Sequence, residues 1–478
     1  MTEPIVPIDL AVVGHTNTGK TSLLRTLLRD PGFGEVADQP GTTRHVESAQ
    51  LLTEDGQPIL ILRDTPGLED GMAVLDAIDR LVRPDERPDG PERIRRLLES
   101  PEAVKRFEQE ARVLATVLAC DAALYVVDVR DPVLAKHRDE LGLLAACGRP
   151  ILPVLNFTHS AEGKADAWRE ALARLGLHAT VDFDTVAPAL DGEAQLIDRL
   201  ALMLERRADT LARLRADLES QRLRRRADAA RLIAELLMDA AALRLLCPQD
   251  STDMATVTVS LRKRTRDREQ QCVQALLKRY RFSRATFPYH PLPLEGERWG
   301  MDLFNPQALK AFGIQVGKGV ATGAMAGATI DAFTGGLSLG TATLLGAAVG
   351  GLWQGANQWG KRLMGRVAGY MEITVDDPVL QLLGLRQMAL ARALERRGHA
   401  ALQPIDGSTL SPLPALATAG GVAVSGAAPG TALPETVRPI LREARGHPEW
   451  SSIGDAPATD PRREVLVGRL AAILDAEL

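Results

Sequence analysis

Cysteine is scarce in this chain, and so are aromatic residues, which make up 4% of its 478 residues. The four cysteines form no CxxC pair and no cluster with histidine, which argues against a disulfide framework and a structural zinc site. The first residues, MTEPIVPIDL, contain no basic segment followed by a long apolar run. We therefore expect no secretory signal and a protein of the reducing cytoplasm.

An excess of positive charge is also lacking. Lys and Arg number 57 against 62 Asp and Glu, for a net charge of −5. Contact with RNA or anionic lipid would therefore need a local basic surface. Basic clusters occur at 222–226, 262–268 and 278–284, but acidic residues such as Asp228 and Asp267 are interleaved with them. This pattern favours a charged, solvated helix face, with RNA as the less favoured partner.

The length allows two to four domains. Short apolar runs alternate with amphipathic stretches up to about residue 204, which predicts an α/β domain with a mostly parallel sheet and helices on both faces. A mainly α-helical C-terminal region is predicted to follow. The expected divisions are 1–204 for the α/β domain, 205–310 for a long helical region, 311–370 for a Gly-rich apolar helical hairpin, and 371–478 for C-terminal helices with a low-complexity linker at 399–433.

Several elements can be assigned in advance. One long helix is predicted from Glu205 to Leu246, because this stretch lacks Gly and Pro and has apolar residues at helical spacing. The predicted strands are Asp9–Val13, His45–Leu52, Ile59–Leu62, Ala122–Val129, Ile151–Phe157 and His178–Phe183. Further helices are predicted at Pro101–Ala119, Asp376–Arg397, Pro434–Arg445 and Asp460–Leu478.

The Gly-rich segment has three interpretations. Its glycines recur every four residues, as at Gly319, Gly323 and Gly327, and Asp331 is its one charged residue between the lysines at 318 and 361. The uncharged length and the GxxxG spacing allow a membrane contact through 313–360, which would associate the protein with the inner membrane. Its many Gly, Ala, Thr and Ser residues equally fit a buried hairpin in a helical domain, and a flexible linker is the third reading.

A phosphate-binding motif follows the first predicted strand. GHTNTGKT at 14–21 matches GxxxxGK[ST] and precedes an amphipathic stretch. In this motif backbone N–H groups surround a phosphate chain, Lys20 places a point charge on the β- and γ-phosphates, and the Thr21 hydroxyl can ligate Mg²⁺. The expected nucleotide-binding residues are Gly14, His15, Thr16, Asn17, Thr18, Gly19, Lys20, Thr21 and Ser22.

Two more short motifs support a nucleotide site. RDTPG at 63–67 follows the apolar strand ILIL, so Asp64 can hold Mg²⁺ through water and the Gly67 N–H can meet a γ-phosphate. PGTTR at 40–44 supplies a Thr hydroxyl that would complete the Mg²⁺ shell. Each motif alone is weak, but their order and intervals together predict a nucleotide-dependent switch.

These motifs resemble the translation-factor-class GTPases, and most closely the Era and TrmE group, over residues 1–204. The resemblance implies a molecular switch that hydrolyses GTP to GDP and phosphate with Mg²⁺. It assigns catalytic roles to Lys20, Thr43 and Gly67, and Mg²⁺ contacts to Thr21, Thr43 and Asp64, with Thr42 the less suited alternative to Thr43. Asn17 matches an Asn that helps to bind K⁺ in this group, although it could also simply shape the loop.

Two departures from the group's pattern qualify this expectation. Leu68 follows DTPG where Ras-like enzymes carry a water-orienting Gln, so we expect slow hydrolysis without K⁺, a protein partner or self-association. Asn156 fits the start of the base-reading NKxD motif, but the Asp is absent and ATP remains an alternative to GTP. An RNA- or ribosome-associated GTPase and a non-hydrolysing, nucleotide-dependent scaffold are the other functions considered.

Overall fold

The computed structural model describes residues 6–30, 33, 46–53, 56–160, 163–248, 254–282, 294–295, 298–299, 302–312, 314, 328–331, 370–399, 432–453 and 460–478. The chain divides into two compact units. Unit 1 comprises Met1–Arg224, Arg281–Pro288 and Leu394–Gln403, and unit 2 comprises Arg225–Tyr280, Tyr289–Ala393 and Pro404–Leu478.

Unit 1 contains a six-stranded sheet in the order β2-β3-β1-β4-β5-β6. Strand β2 runs antiparallel to β3, and the other pairs are parallel. The strands are β1 Ile8–Val13, β2 Glu47–Leu52, β3 Pro58–Asp64, β4 Ala122–Asp128, β5 Ile151–Asn156 and β6 Val181–Asp182. All six predicted strands are present, within a few residues of their expected bounds.

Eight helices accompany this sheet within the described residues: α1 Lys20–Leu28, α2 Gly71–Leu81, α3 Gly90–Glu99, α4 Pro101–Arg106, α5 Glu108–Ala119, α6 Ala135–Ala146, α7 Ala165–Ala173 and α8 Gly192–Met203. A 3-10 turn, Glu205–Arg207, follows α8. The long segment between β3 and β4 consists of α2 to α5. Asp70, Asp89 and Ser100 cap the first three of these helices by accepting from backbone N–H groups.

The sheet is buried on both faces because successive side chains of its strands point to opposite sides. Val13 and Tyr125 belong to one core cluster, which includes residues of α2, α3, α5, α6 and α7. Leu10 and Leu124 belong to the other, with residues of α1 and α8 and the start of the next helix. This confirms the predicted α/β layers. It also places the carboxyl ends of β1, β3, β4 and β5 at one edge, where α/β proteins bind ligands.

The C-terminal part is largely helical, as predicted. Its helices are α9 Ala208–Ala242, α10 Met254–Arg279, α11 Pro306–Ala311, α12 Asp377–Glu395, α13 Val437–Arg445 and α14 Pro461–Glu477, with a 3-10 turn at Pro448–Trp450. Its strands are β7 Arg244–Pro248, β8 Leu294–Glu295, β9 Arg298–Trp299, β10 Ala328–Asp331 and β11 Tyr370–Val375. They form an antiparallel sheet β10-β11-β7 and a small β8-β9 pair.

One predicted helix is shorter than expected. Glu205–Leu246 was predicted as a single helix, but α9 ends at Ala242 and residues from Arg244 onward form β7. Strand β7 pairs with β11, which satisfies its backbone hydrogen-bonding groups in a ladder. A partner more than 120 residues away in the chain thus overrides local helix propensity.

The Gly-rich segment is described only in part. Residues 315–327 and 332–369 of the predicted hairpin lie outside the described residues. Ala328–Asp331, within the predicted helical hairpin, forms strand β10 instead, because it pairs antiparallel with β11. None of the helices in the described ranges is both long and apolar enough to span a bilayer. Most of the predicted linker, residues 400–431, is also outside the description.

Candidate nucleotide site

The loop between β1 and α1 has the glycines and the shape of a phosphate-binding loop. Gly14 and Gly19 have φ values of 145° and 91°, where an L side chain is strained. A Cβ on Gly14 would lie 2.5 Å from the Val126 carbonyl oxygen, and one on Gly19 would lie 2.3 Å from Asn156 Nδ2. Helix α1 begins without a side-chain cap, which leaves N–H groups of its first turn to face an anion.

Lys20 lies buried under this loop. Its Nζ donates to the carbonyl oxygens of Gly14 and His15, at 3.1 and 2.7 Å. Burial lowers the pKa of Lys20 to about 8, and the charge of Asp64 opposes this shift. Among the described residues the ammonium group bonds only to carbonyl oxygens, and a phosphate at the loop would supply an anion.

Thr21 and Asp64 meet beside Lys20. The Thr21 hydroxyl donates to Asp64 Oδ2 at 2.6 Å. Asp64 is almost fully buried at the end of β3, and burial raises its pKa to about 6 although the bond from Thr21 lowers it. The other oxygen, Asp64 Oδ1, has no hydrogen-bond partner in the described structure. A buried oxygen without a donor beside a hydroxyl is the hard donor set that Mg²⁺ prefers.

The DTPG turn packs directly on the phosphate loop. A Cβ on Gly67 would lie 2.3 Å from Thr16 Oγ1, so only glycine allows this approach. The Leu68 N–H donates to the Gly14 carbonyl at 3.3 Å, and the Thr16 hydroxyl donates to Glu69 at 3.1 Å. Leu68 is fully buried in the core cluster of its sheet face. Its side chain is therefore a packing group and does not take the place of the missing Gln.

Of the other predicted site residues, Asn17 and Ser22 are among the described residues and lie at the phosphate loop and the start of α1. Asn17 is exposed and has a φ of 65°, and Ser22 lies within the first turn of α1. Thr42 and Thr43 are among residues 34–45, which lie outside the described residues. The K⁺ role of Asn17 and the switch role of Thr43 therefore stay predictions.

Asn156 connects the phosphate loop to the loop after β6. Its Nδ2 donates to the Thr18 carbonyl at 3.0 Å, and its Oδ1 accepts from the N–H groups of Phe157 and Thr185 at 2.9 and 3.0 Å. The side chain is fully buried. An amide is suited to this position because it can donate and accept at once.

A buried polar cluster around Glu140 was not predicted from the sequence. Glu140 of α6 is almost fully buried, and it accepts from the Tyr125 hydroxyl at 2.8 Å and contacts His15 Nδ1 at 2.7 Å. Lys136 Nζ lies 2.8 Å from His15 Nε2. Together these contacts hold the second residue of the phosphate loop. No local signal marks this group, because His15 and Glu140 are 125 residues apart.

Two protein families match the chain. Residues 9–157 match the family described as 50S ribosome-binding GTPase, and residues 169–472 match the one described as Domain of unknown function (DUF3482). The second match covers well over half of the chain. The chain belongs to the DUF3482 family. The N-terminal part of this DUF3482 protein is a P-loop GTPase domain, as its motifs implied.

Individual relatives match about a third of the chain. GTPase Der of Akkermansia muciniphila is 29% identical over 154 residues, which are 32% of this chain and 27% of that protein. GTPase Der of Xylella fastidiosa is 32% identical over 165 residues, or 33% of this chain and 26% of that protein. The DUF3482 chain thus spans about a quarter of the length of these relatives.

Solved structures give a fainter likeness. Era in complex with MgGDPNP and nucleotides 1506–1542 of 16S ribosomal RNA is 16% identical and covers 42% of this chain and 57% of its own. The TM-score is 0.30, which is too low to support an argument.

Proposed function

We propose that the DUF3482 protein binds GTP with Mg²⁺ and hydrolyses it to GDP and phosphate as a molecular switch. The observation that carries the proposal is the contact between Thr21 and Asp64 beside the buried Lys20. A buried cation, a hydroxyl and a carboxylate oxygen that has no hydrogen-bond donor among the described residues meet where the phosphate loop leads into α1. The match of residues 9–157 to a GTPase family supports the same activity.

Each residue has a distinct part in the proposed reaction. Lys20 exchanges its bonds to the Gly14 and His15 carbonyls for the β- and γ-phosphate oxygens. Thr21 and Asp64 would hold Mg²⁺, which would supply positive charge to neutralise the β- and γ-phosphate oxygens. Water attacks the γ-phosphorus, the bond to the β–γ bridging oxygen breaks, and GDP leaves with that oxygen.

The proposed hydrolysis is slow when the chain acts alone. The buried, apolar Leu68 side chain cannot orient a water molecule. Acceleration is assigned to K⁺ held with the help of Asn17, to a protein partner or to self-association, and the switch loop containing Thr43 would order on the γ-phosphate.

The decisive experiment measures GTP and ATP turnover in K⁺ and in Na⁺ buffers. We expect GTP to be preferred, K⁺ to accelerate its hydrolysis, and Asn17→Ala to remove the acceleration while binding persists. Lys20→Ala should abolish both binding and turnover. Turnover that survives in Lys20→Ala would overturn the proposed site, and equal rates in K⁺ and Na⁺ would remove the role of Asn17 alone.

An RNA- or ribosome-associated GTPase is the second candidate. The family that matches residues 9–157 is described as ribosome-binding. The basic clusters give it less support, because several of their arginines form ion pairs within the protein. These pairs are Arg226 with Asp475, Arg268 with Asp239, Arg266 with Asp302 and Arg279 with Asp228.

Two further predictions stay open. Membrane contact through 313–360 concerns residues that are nearly all outside the described part, and fractionation of the full chain beside a variant lacking them tests it. A non-hydrolysing scaffold predicts GTP binding without turnover. Multiple-turnover hydrolysis that depends on Lys20 would exclude the scaffold.

A further inference from the structure

The turn after β5 carries a histidine whose ring is held by a carboxylate. The His159 N–H donates to Asp184 Oδ2 at 3.1 Å, and His159 Nδ1 lies 3.2 Å from the same oxygen. Asp184 is only 5% exposed. Its Oδ1 accepts from the N–H groups of Val186 and Ala187 at 2.9 and 3.1 Å. Both carboxylate oxygens are thus occupied by donors.

This contact determines which imidazole nitrogen can accept a hydrogen bond. A carboxylate only accepts, so Nδ1 of His159 must carry the proton that it donates to Asp184. The neutral ring then presents Nε2 as an acceptor. The side chain is 66% exposed, and nothing in the described ranges hydrogen-bonds to Nε2. The nitrogen is therefore available to a ligand.

His159 follows β5, which lies on the opposite side of β1 from β3 and Asp64 in the sheet. If the phosphates occupy the start of α1 and the γ-phosphate faces Asp64 and Gly67 beyond β3, the rest of the nucleotide extends over the opposite side of the phosphate loop. That side is formed by Asn156 at the end of β5, which bonds to the Thr18 carbonyl. His159 follows Asn156 by three residues.

An aromatic surface lies in the same turn. Phe157 Cζ is 3.4 Å from the position of a Cβ on Gly19, so the ring reaches the phosphate loop. The guanidinium carbon of Arg130 lies 3.9 Å from the centre of the Phe157 ring. Flat aromatic and guanidinium groups of this kind stack on nucleobases.

We propose that His159 reads the purine through Nε2, with Asp184 as the positioning residue that fixes its tautomer. Guanine presents N1–H and a 2-amino group, both donors, to an acceptor at this edge. Adenine presents the N1 lone pair, which repels a second acceptor, and has no amino group at position 2. The His159–Asp184 pair thus distinguishes guanine from adenine in place of the absent NKxD aspartate. This inference rests on the proposed nucleotide site.

The test is a displacement assay on the full-length protein. GDP and ADP are each titrated against a bound fluorescent guanine nucleotide, and their affinities are compared. We expect His159→Ala to lower the affinity for GDP about ten-fold, as for the loss of one good hydrogen bond, and to leave the affinity for ADP unchanged. His159→Gln, which keeps an amide acceptor, should retain part of the preference. His178→Ala removes an exposed histidine of the same unit and is the matched control.

The outcomes separate this proposal from the one on which it rests. Equal weakening of GDP and ADP in His159→Ala, or no change in either, would overturn the assignment and leave the GTP site intact. The same applies if the unaltered protein prefers ADP. If neither nucleotide binds the unaltered protein, the proposed function itself fails.

A spectroscopic readout isolates the role of Asp184. The ¹⁵N shifts of the His159 ring, assigned by comparison with His159→Gln, should show a protonated Nδ1 and an unprotonated Nε2. Asp184→Asn should mix the two tautomers and lower the GDP preference with little change for ADP. A ring protonated at Nε2 in the unaltered protein would overturn the proposal.

Discussion

At the scale of single residues, Asp64 is held in an environment that disfavours its charge. Burial raises its pKa from 3.8 to about 6, so the folded protein binds this proton more tightly than the unfolded chain does. The resulting stability is complete below about pH 4 and is lost as the pH rises through about 6. At neutral pH a cation bound to Asp64 would offset the free-energy cost of burying the ionised carboxylate. The proposed Mg²⁺ site is therefore coupled to folding.

We expect Asp64 to lower the free energy of unfolding of the nucleotide-free protein by about 3 kcal/mol between roughly pH 4 and pH 7. Asp64→Asn should remove this decline and also any stabilisation by Mg²⁺ with nucleotide. Urea denaturation at several pH values measures both effects. Asp166→Asn, at a fully exposed carboxylate, is the control, and a pH profile shared by all three proteins would contradict the assignment.

Leu68 provides a second test at this scale. Restoring the Gln of Ras-like enzymes by Leu68→Gln should not speed hydrolysis, because this side chain lies in the core. It should instead lower the free energy of unfolding by about 2 to 4 kcal/mol, since it removes buried apolar contacts and buries an amide. Denaturation and GTP turnover measure the two effects.

The matched variant is Leu175→Gln, at a leucine that is 46% exposed. We expect it to change the free energy of unfolding by less than about 0.5 kcal/mol. A faster enzyme with unchanged stability in Leu68→Gln would show that the side chain can reach the phosphate.

At the scale of elements, the segment after α12 packs on the loop after β6 within unit 1. The Gly398 N–H donates to the Val186 carbonyl at 3.1 Å, and the His399 ring stacks on Phe282 with 4.3 Å between centres. A Cβ on Gly398 would lie 1.9 Å from the Thr185 carbonyl oxygen. A segment far along the chain therefore supports the loop that also holds Asn156.

Gly398→Val should displace this loop, because the new side chain would overlap the Thr185 carbonyl. We expect GDP to dissociate several-fold faster, as measured by release of a fluorescent nucleotide. Gly142→Ala is the control, since a Cβ there meets no atom within 4 Å and alanine favours the helix. Unchanged release in Gly398→Val would show that the loop position does not govern nucleotide binding.

Unit 2 contains a buried ion cluster around Asp239 of α9. Asp239 is 1% exposed and accepts from Arg268 of α10 at 2.8 Å, from Arg463 of α14 at 2.9 Å and from the Ser452 hydroxyl at 2.6 Å. Three segments thus share one carboxylate. Removing it would leave two guanidinium groups without their buried counter-charge.

We expect Asp239→Ala to lower the free energy of unfolding by about 3 kcal/mol or more. Hydrogen exchange should show faster exchange in α9, α10 and α14. The control is Asp228→Ala, which breaks the exposed ion pair with Arg279. It should lower the free energy of unfolding by less than about 1 kcal/mol. Equal effects of the two substitutions would mean that the cluster contributes no more than a surface pair.

At the scale of the whole molecule, the charge balance bears on the choice between partners. The net charge is −5, and arginines of the basic clusters are paired with acidic residues inside the protein. Non-specific binding to a polyanion requires cations that can replace its counterions. Ion pairs of this kind reduce the number available.

The full-length protein should therefore bind unstructured RNA only weakly at physiological salt, with a dissociation constant of about 10⁻⁴ M or weaker. Fluorescence anisotropy with a short poly-uridine probe, read over a range of salt concentrations, measures this. Tight binding with a steep salt dependence would instead favour the RNA-associated alternative.

Several site residues could be identified from the sequence alone. Lys20, Thr21, Asp64 and Asn156 could be singled out in advance, because each lies in a short motif directly after or before a predicted element. The strands of unit 1 could be placed as well, because a sheet buried on both faces gives short, nearly continuous apolar runs. These signals involve residues that are close together in the chain, and such local patterns can be recognised in a single sequence.

Only the tertiary structure brought distant residues together. The contact of Glu140 with His15, the burial of Leu68, the pairing of β7 with β11 and the support of His159 by Asp184 all join segments that are remote in sequence or depend on packing. Sequence thus determined the phosphate loop and the α/β order, because these follow from backbone geometry and periodicity. Tertiary structure decided which polar groups are buried, paired or open to a ligand, since desolvation and hydrogen bonding depend on neighbours from the whole chain.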